Sequence, residues 1–95
     1  MPRYNVKYNG KWACFSSIVD AFVTGFMDKA EYEEWRKQEY GLHDYEPAEK
    51  RNMKSMEEAV ISICLNMTRE EAIEHLIQCG LPQEICEELV FRTKN

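Results

Sequence analysis

The chain has 95 residues, of which 44% are hydrophobic and 12% aromatic, and its formal net charge at pH 7 is −5. A chain of this length forms one domain with a single core. The sequence has neither the ~18 consecutive apolar residues of a membrane span nor the apolar stretch of a secretory signal, and its negative charge opposes binding to nucleic acid or anionic lipid. We therefore expect a cytoplasmic, single-domain protein that does not bind membranes.

Residues 1–15 carry the strongest local signal, which predicts a β-hairpin. Tyr4, Val6 and Tyr8 alternate with polar residues before Asn9-Gly10, a dipeptide that favours the two positive φ angles of a type I′ turn, and the chain returns through residues 11–15. The two-residue loop pairs Tyr8 with Lys11, Val6 with Ala13, and Tyr4 with Phe15. The opposite face holds Lys7, Trp12 and Cys14. We expect the first face to pack on helices. A lone hairpin is marginal in water, so it either lies against other elements or gains a strand from a partner, and the sequence leaves strand recruitment at its edge open.

Residues 16–41 are predicted to be helical, either as two helices or as one helix bent at Gly25. Ser16 or Ser17 would cap the first part, whose apolar residues recur at helical spacing. These residues are Ile18, Val19, Phe22, Val23 and Phe26. Asp28 and Glu31 have the spacing of a capping box, which would open a helix carrying Tyr32, Trp35 and Tyr40 and ending at Gly41.

Residues 42–54 lack an apolar period and contain Pro47, so we predict a connecting loop there. Three helices are predicted over residues 55–92. Two of them begin with capping boxes, Ser55 with Glu58 and Thr68 with Glu71, and the last begins at Leu81-Pro82 after Gly80 ends the second. Their predicted core residues are Met56, Ala59, Val60, Ile63, Cys64, Met67, Ala72, Ile73, Leu76, Ile77, Ile85, Cys86, Leu89 and Val90. The predicted class is α+β, mostly α, with an N-terminal β-hairpin packed on four to five short helices.

The charge distribution indicates a function in protein binding. Residues 55–95 hold eight acidic and three basic side chains, whereas residues 1–54 hold nine of each. The sequence contains no recognisable catalytic motif, so we predict a non-enzymatic module without a cofactor that binds a basic protein surface. Carboxylates would steer association and aromatic residues would fix it. The predicted partner-binding residues are Glu31, Glu34, Trp35, Tyr45, Glu70, Glu71, Glu74, Glu84, Glu87 and Glu88.

Two alternatives remain open from the sequence. A small nucleic-acid-binding regulator would use the basic residues Arg36, Lys37, Lys50, Arg51 and Lys54, although a solvated surface is the simpler interpretation. A zinc site would use His75, Cys79 and Cys86, with Cys64 or water as a fourth ligand. Since all four cysteines lie in apolar patterns, reduced and buried thiols are the simpler interpretation, and we predict no metal.

The segment NGKWACFSSIVDAFVTGFMDKAEYEEWRKQEYG, residues 9–41, resembles short uncharacterised proteins of bacterial phages and mobile elements. Small acidic proteins of such elements include inhibitors of host defence, among them anti-CRISPR proteins that cover the DNA-binding surface of a nuclease with carboxylates. The resemblance supplies a setting and not an activity, and an inhibitor of a host defence nuclease is the function we expect in that setting. It transfers no functional residue, and it leaves the oligomeric state open, homo-oligomers included.

Overall fold

The computed structural model describes residues 3–40 and 52–94, which form a three-stranded antiparallel sheet followed by four helices. The strands are β1 (Arg3–Tyr8), β2 (Lys11–Ser16) and β3 (Ala21–Phe22), in the order β1-β2-β3. The helices are α1 (Lys29–Tyr40), α2 (Met56–Asn66), α3 (Arg69–Gln78) and α4 (Gln83–Lys94). The α+β, mostly α class is confirmed, with a third strand and four helices as refinements. None of the described helices is long and apolar enough to cross a membrane.

The β1–β2 hairpin has the predicted register. Tyr8 pairs with Lys11, and the pairing continues residue by residue to Arg3 with Ser16. Asn9 and Gly10 adopt φ angles of 51° and 75°, which the type I′ turn requires. The local turn chemistry and the alternation of apolar residues therefore agree on one register.

Both faces of the sheet are covered by helices. Val6, Ala13 and Phe15 lie in the main core with buried residues of α2, α3 and α4. On the other face, Trp12 and Cys14 pack with Tyr32 of α1, in a second and smaller cluster. The sheet therefore lies between α1 on one side and the three C-terminal helices on the other.

The outer edge of β1 pairs within the chain itself. Asn5 N–H donates to Asn52 O at 2.8 Å, and Lys54 N–H donates to Asn5 O at 3.0 Å. These bonds form a parallel bridge between Asn5 and Met53. Residues 52–54 of the predicted loop are thus part of the sheet edge, and residues 42–51 lie outside the described ranges.

The predicted helix after Ser16 is wrong. Residues 17–20 form a turn with Asp20 at φ 50°, and β3, a bend at residues 23–24 and an isolated bridge at Met27 follow before α1. This stretch satisfies the outer edge of β2, because Val23 N–H donates to Cys14 O and Trp12 exchanges two backbone hydrogen bonds with Met27. A helix could not offer those backbone groups, so strand pairing overrides the helical spacing.

The capping residues place the helices of the C-terminal half as predicted. Both predicted capping boxes, at Ser55 and at Thr68, are present. After α3, Gly80 adopts φ 99°, and its N–H donates to Ile77 O while the next N–H returns to Leu76 O. This is the hydrogen-bond pattern of a Schellman motif. Most predicted core residues are buried or half-buried, and Ile77 is the exception, since 40% of it is exposed.

Candidate functional site

An open groove on α1 brings together three of the predicted partner-binding residues. Glu31, Glu34 and Trp35 line it, together with Ala30 and Gln38. These residues share a face because positions three and four apart are neighbours on a helix surface. Both glutamates are exposed and the Trp35 ring is half-buried. The groove therefore offers two carboxylates beside one indole ring, and we call it the acid–aromatic groove.

A stack of three aromatic rings lies beneath the acid–aromatic groove. The Tyr32 ring centroid is 5.8 Å from that of Trp35 and 6.1 Å from that of Trp12, with interplanar angles of 17° and 18°. Tyr32 is fully buried, and its hydroxyl donates to Asn5 Oδ1. The position of Trp35 is therefore set by both hairpin strands as well as by α1. Such a fixed ring loses little conformational freedom when a partner binds.

The start of α1 is joined to the hairpin by an exposed ion pair. Lys11 Nζ donates to Asp28 Oδ1, and this hydrogen bond raises the pKa of Lys11 and lowers the pKa of Asp28. The Nζ atoms of Lys7 and Lys29 lie 5.7 and 5.9 Å from the Trp12 ring centroid. Exposed ion pairs contribute little to stability, so these contacts mainly orient α1 on the sheet.

Three of the six predicted carboxylates in α3 and α4 are engaged within their own helices. Glu71 Oε1 accepts from Thr68 N–H at 3.0 Å, and this bond lowers the pKa of Glu71. Glu87 accepts from a glutamine one turn earlier at 3.1 Å, and Glu88 binds Arg92 at 2.6 Å. Helix capping and local pairing therefore account for half of this acidic set.

The other three predicted carboxylates, Glu70, Glu74 and Glu84, are exposed. Within residues 3–40 and 52–94 no hydrogen bond or ion pair engages them. The Arg69 guanidinium at the start of α3 lies 4.8 Å from the Phe91 ring near the end of α4, so the two helices are antiparallel. Glu84 is then at the opposite end of the helix pair from Glu70. The acidic residues of α3 and α4 consequently form a spread-out negative field and no compact docking patch.

The predicted basic cluster is not a continuous exposed surface in the described part of the chain. Arg36 is buried and binds Glu33 Oε1 at 2.8 Å, so the prediction that it contacts nucleic acid conflicts with its position. Lys37 is half-buried, and Lys54 Nζ lies 4.5 Å from the Tyr4 ring centroid. Three predicted site residues lie outside the described ranges: Tyr45, Lys50 and Arg51.

The residues predicted as alternative zinc ligands make other interactions in the structure. His75 Nε2 accepts from Phe22 N–H at 3.0 Å and lies 3.9 Å from Cys79 Sγ. Burial raises the pKa of Cys79 to about 11, with a further contribution from Cys86, so this thiol is protonated in the metal-free chain. No group of three or more His, Cys, Asp or Glu residues is placed to hold a metal ion in the ranges that the structure describes.

Exposed apolar residues at the turn before β3 were missed by the sequence analysis. Ile18 and Val19 are 74% and 60% exposed, and Leu65 at the end of α2 is 79% exposed. Asn66 Nδ2 donates to Asp20 Oδ2 at 2.9 Å, which joins the turn to the C-terminal end of α2. The flanking serines and aspartate, which favour turns, were the available signal. The helical spacing of the apolar residues led to a helix being predicted instead of this turn.

Comparisons of the chain with protein families, with curated proteins and with solved structures find no match. They add no residue to the groove on α1. The functional argument therefore depends on the chemistry of the site.

Proposed function

We propose that this protein is an interaction module that binds a basic surface of a partner protein through the acid–aromatic groove. The supporting observation is that Glu31, Glu34 and Trp35 line one open groove on a single helix. Carboxylates form charge-assisted hydrogen bonds with guanidinium or ammonium groups, and an indole ring adds apolar contact and a cation–π attraction. Tryptophan is also among the residues that contribute most to binding when an interface covers them.

The negative field of the C-terminal helices supports the same choice of partner. Residues 52–94 hold eight acidic and four basic side chains, and Glu70, Glu74 and Glu84 are exposed among them. Charges spread over a surface accelerate association with an oppositely charged partner more than they strengthen the final complex. In this proposal α3 and α4 steer the encounter and α1 makes the contact that holds it.

For the partner, we propose a host defence nuclease of the CRISPR type, whose nucleic-acid-binding surface is basic. The resemblance of residues 9–41 to phage and mobile-element proteins supports this partner. The chain would act in the cytoplasm by occupying the surface that DNA or RNA needs, without catalysis and without a cofactor. Competition with a polyanion requires carboxylates at the contact, and the acid–aromatic groove offers two of them.

The first experiment uses an arginine-rich peptide as the probe and follows the two indole N–H signals of the chain by NMR. Binding at the groove should shift the Trp35 signal and leave Trp12, on the far side of Tyr32, as an internal reference. The double variant Glu31→Gln/Glu34→Gln should bind about tenfold more weakly, which corresponds to about 1.4 kcal/mol shared by two exposed ion pairs. The matched control is Glu70→Gln/Glu74→Gln, which removes the same charge from α3.

A second experiment measures DNA cleavage by a panel of CRISPR nucleases in the presence of the chain. The wild-type chain should inhibit at least one of them, and Glu31→Lys/Glu34→Lys should relieve inhibition more than Glu70→Lys/Glu74→Lys does. Equal effects of the two charge-reversed variants would move the site away from α1. Peptide binding without inhibition or capture of any nuclease would overturn the proposed partner and leave the groove as a general site for basic proteins.

A further inference from the structure

The segment that follows the turn at residues 17–20 is hydrogen-bonded to the C-terminal part of α3. Phe22 N–H donates to His75 Nε2 at 3.0 Å, and Phe26 N–H donates to Cys79 O at 2.8 Å. Between them, the chain passes so close that a Cβ at Gly25 would lie 3.3 Å from Cys79 O. The His75 ring also stacks on the Phe22 ring, with centroids 6.1 Å apart and planes at 20°.

The hydrogen bond from Phe22 requires one protonation state of His75. A ring nitrogen accepts a hydrogen bond only when it carries no proton, so the imidazole is neutral, with its proton on Nδ1. Protonation of Nε2 would set two N–H donors against each other at 3.0 Å. We propose that His75 is a pH-sensitive latch, which holds residues 21–26 against α3 when its imidazole is neutral and releases them when it is protonated.

Within residues 3–40 and 52–94, the surroundings of His75 offer the imidazolium no compensating charge. Burial is the one cause that lowers the pKa of His75 from its usual value of 6.5. From its own helix the ring faces the Cys79 thiol, whose pKa of about 11 keeps it neutral in acid, and from β3 it faces the uncharged Phe22. Among the described residues, no titratable group of α2 or α4 forms a hydrogen bond or ion pair with the ring.

The direction of the effect follows from the lowered pKa. A proton binds more tightly to the released histidine than to the latched one, so falling pH favours release. The equilibrium constant for opening should rise about tenfold for each pH unit below 6.5, until the pKa of the latched state is reached. Opening would free the contacting rings of Phe22 and Phe26 and loosen the turn that presents Ile18 and Val19.

The test is amide hydrogen exchange of the full chain between pH 7.5 and 4.5, with the His75 ring signal followed in parallel by NMR. Exchange protection of Phe22 and Phe26 should fall as the pH drops below 6.5 and level off at the pH where the His75 ring titrates. The amide of Met27 is the internal control, because it donates to Trp12 O and not to α3. His75 should titrate below 6.5, and protection of Met27 should not change with it.

The matched variant is His75→Gln, whose amide oxygen can accept the Phe22 hydrogen bond but does not titrate. In this variant Phe22 and Phe26 should keep their protection down to pH 4.5. The proposal is overturned if His75 titrates at or above 6.5, or if the protection of Phe22 and Phe26 follows Met27 at every pH. The wild-type measurement alone decides these points if the variant fails to fold. None of these readouts depends on a binding partner.

Discussion

The Tyr32→Phe variant tests whether the aromatic stack under the acid–aromatic groove is held by one buried hydroxyl. Tyr32 is fully buried and Asn5 nearly so, and the substitution removes the donor to Asn5 Oδ1 while keeping the ring. A buried hydrogen bond contributes about 1 kcal/mol, so we expect a loss of about that size. For a domain of this size the melting temperature should fall by roughly 4–8 °C.

The assay is urea unfolding followed by tryptophan fluorescence, with Tyr8→Phe as the control. Tyr8 is half-buried, and its hydroxyl forms no hydrogen bond with any residue that the structure describes. Tyr8→Phe should therefore change the free energy of unfolding by less than about 0.5 kcal/mol. Equal losses in the two variants, or a Tyr32→Phe protein as stable as wild type, would refute the argument that the hydroxyl anchors the stack.

Two further predictions concern the ends of α3. Gly80→Ala should destabilise the protein by about 1–2 kcal/mol in thermal unfolding, because φ at this residue is 99° and a residue with a Cβ is strained there. The new Cβ would crowd no neighbouring atom, so the loss would come from backbone strain alone. Glu71→Gln should flatten the acid limb of a stability–pH curve. The capping bond lowers the pKa of Glu71 in the folded protein. The stability that the ionised Glu71 adds is therefore complete above the pKa of about 4.5 in the unfolded chain, and it is lost as the pH falls through the lower pKa of the folded state. An unchanged melting temperature in the first case, or an unchanged acid limb in the second, would contradict these expectations.

The features that could be predicted from the sequence are those specified by adjacent residues. Asn9-Gly10 encodes its turn through φ alone, and the register of both strands follows from it. Ser55 and Thr68 cap their helices with the residues three positions later. In each case the partners are so close in sequence that tertiary contacts have little room to change the outcome.

The stretch at residues 17–28 could not be predicted because its structure is decided by a distant strand edge. Its apolar spacing suits a helix, yet β2 has backbone groups on its outer edge that must be paired. Val23, Thr24 and Met27 supply that pairing, and Thr24 does so with its side chain, since its Oγ1 accepts from Cys14 N–H at 3.0 Å. The spacing of apolar residues carries no information about the unpaired outer edge of β2. The exposed turn at residues 17–20 was therefore not predicted either.

The candidate site was predictable in part for a related reason. Glu31, Glu34 and Trp35 are close in sequence, and helical spacing alone places them on one face. For the acidic residues of α3 and α4, helical spacing does not show which carboxylates have a local partner, and the structure gives one to Glu71, Glu87 and Glu88. The Thr68 capping box already indicated this for Glu71. Some carboxylates cap or pair within their own helix and others are available to a partner. The two groups can be distinguished only after every local hydrogen bond has been assigned.

Pairing of the outer backbone groups at Asn5 and Phe22 favours side-chain recognition over strand addition at these two positions of the sheet edges. A peptide that joined β1 would have to displace the backbone of residues 52–54 from Asn5, and one that joined β3 would have to displace His75 from Phe22. Strand addition gains its affinity from unpaired backbone groups, and these two positions are already paired. A partner that meets the groove on α1 displaces none of these bonds. Charge substitutions at Glu31 and Glu34 should therefore change partner affinity without altering the exchange protection of Asn5.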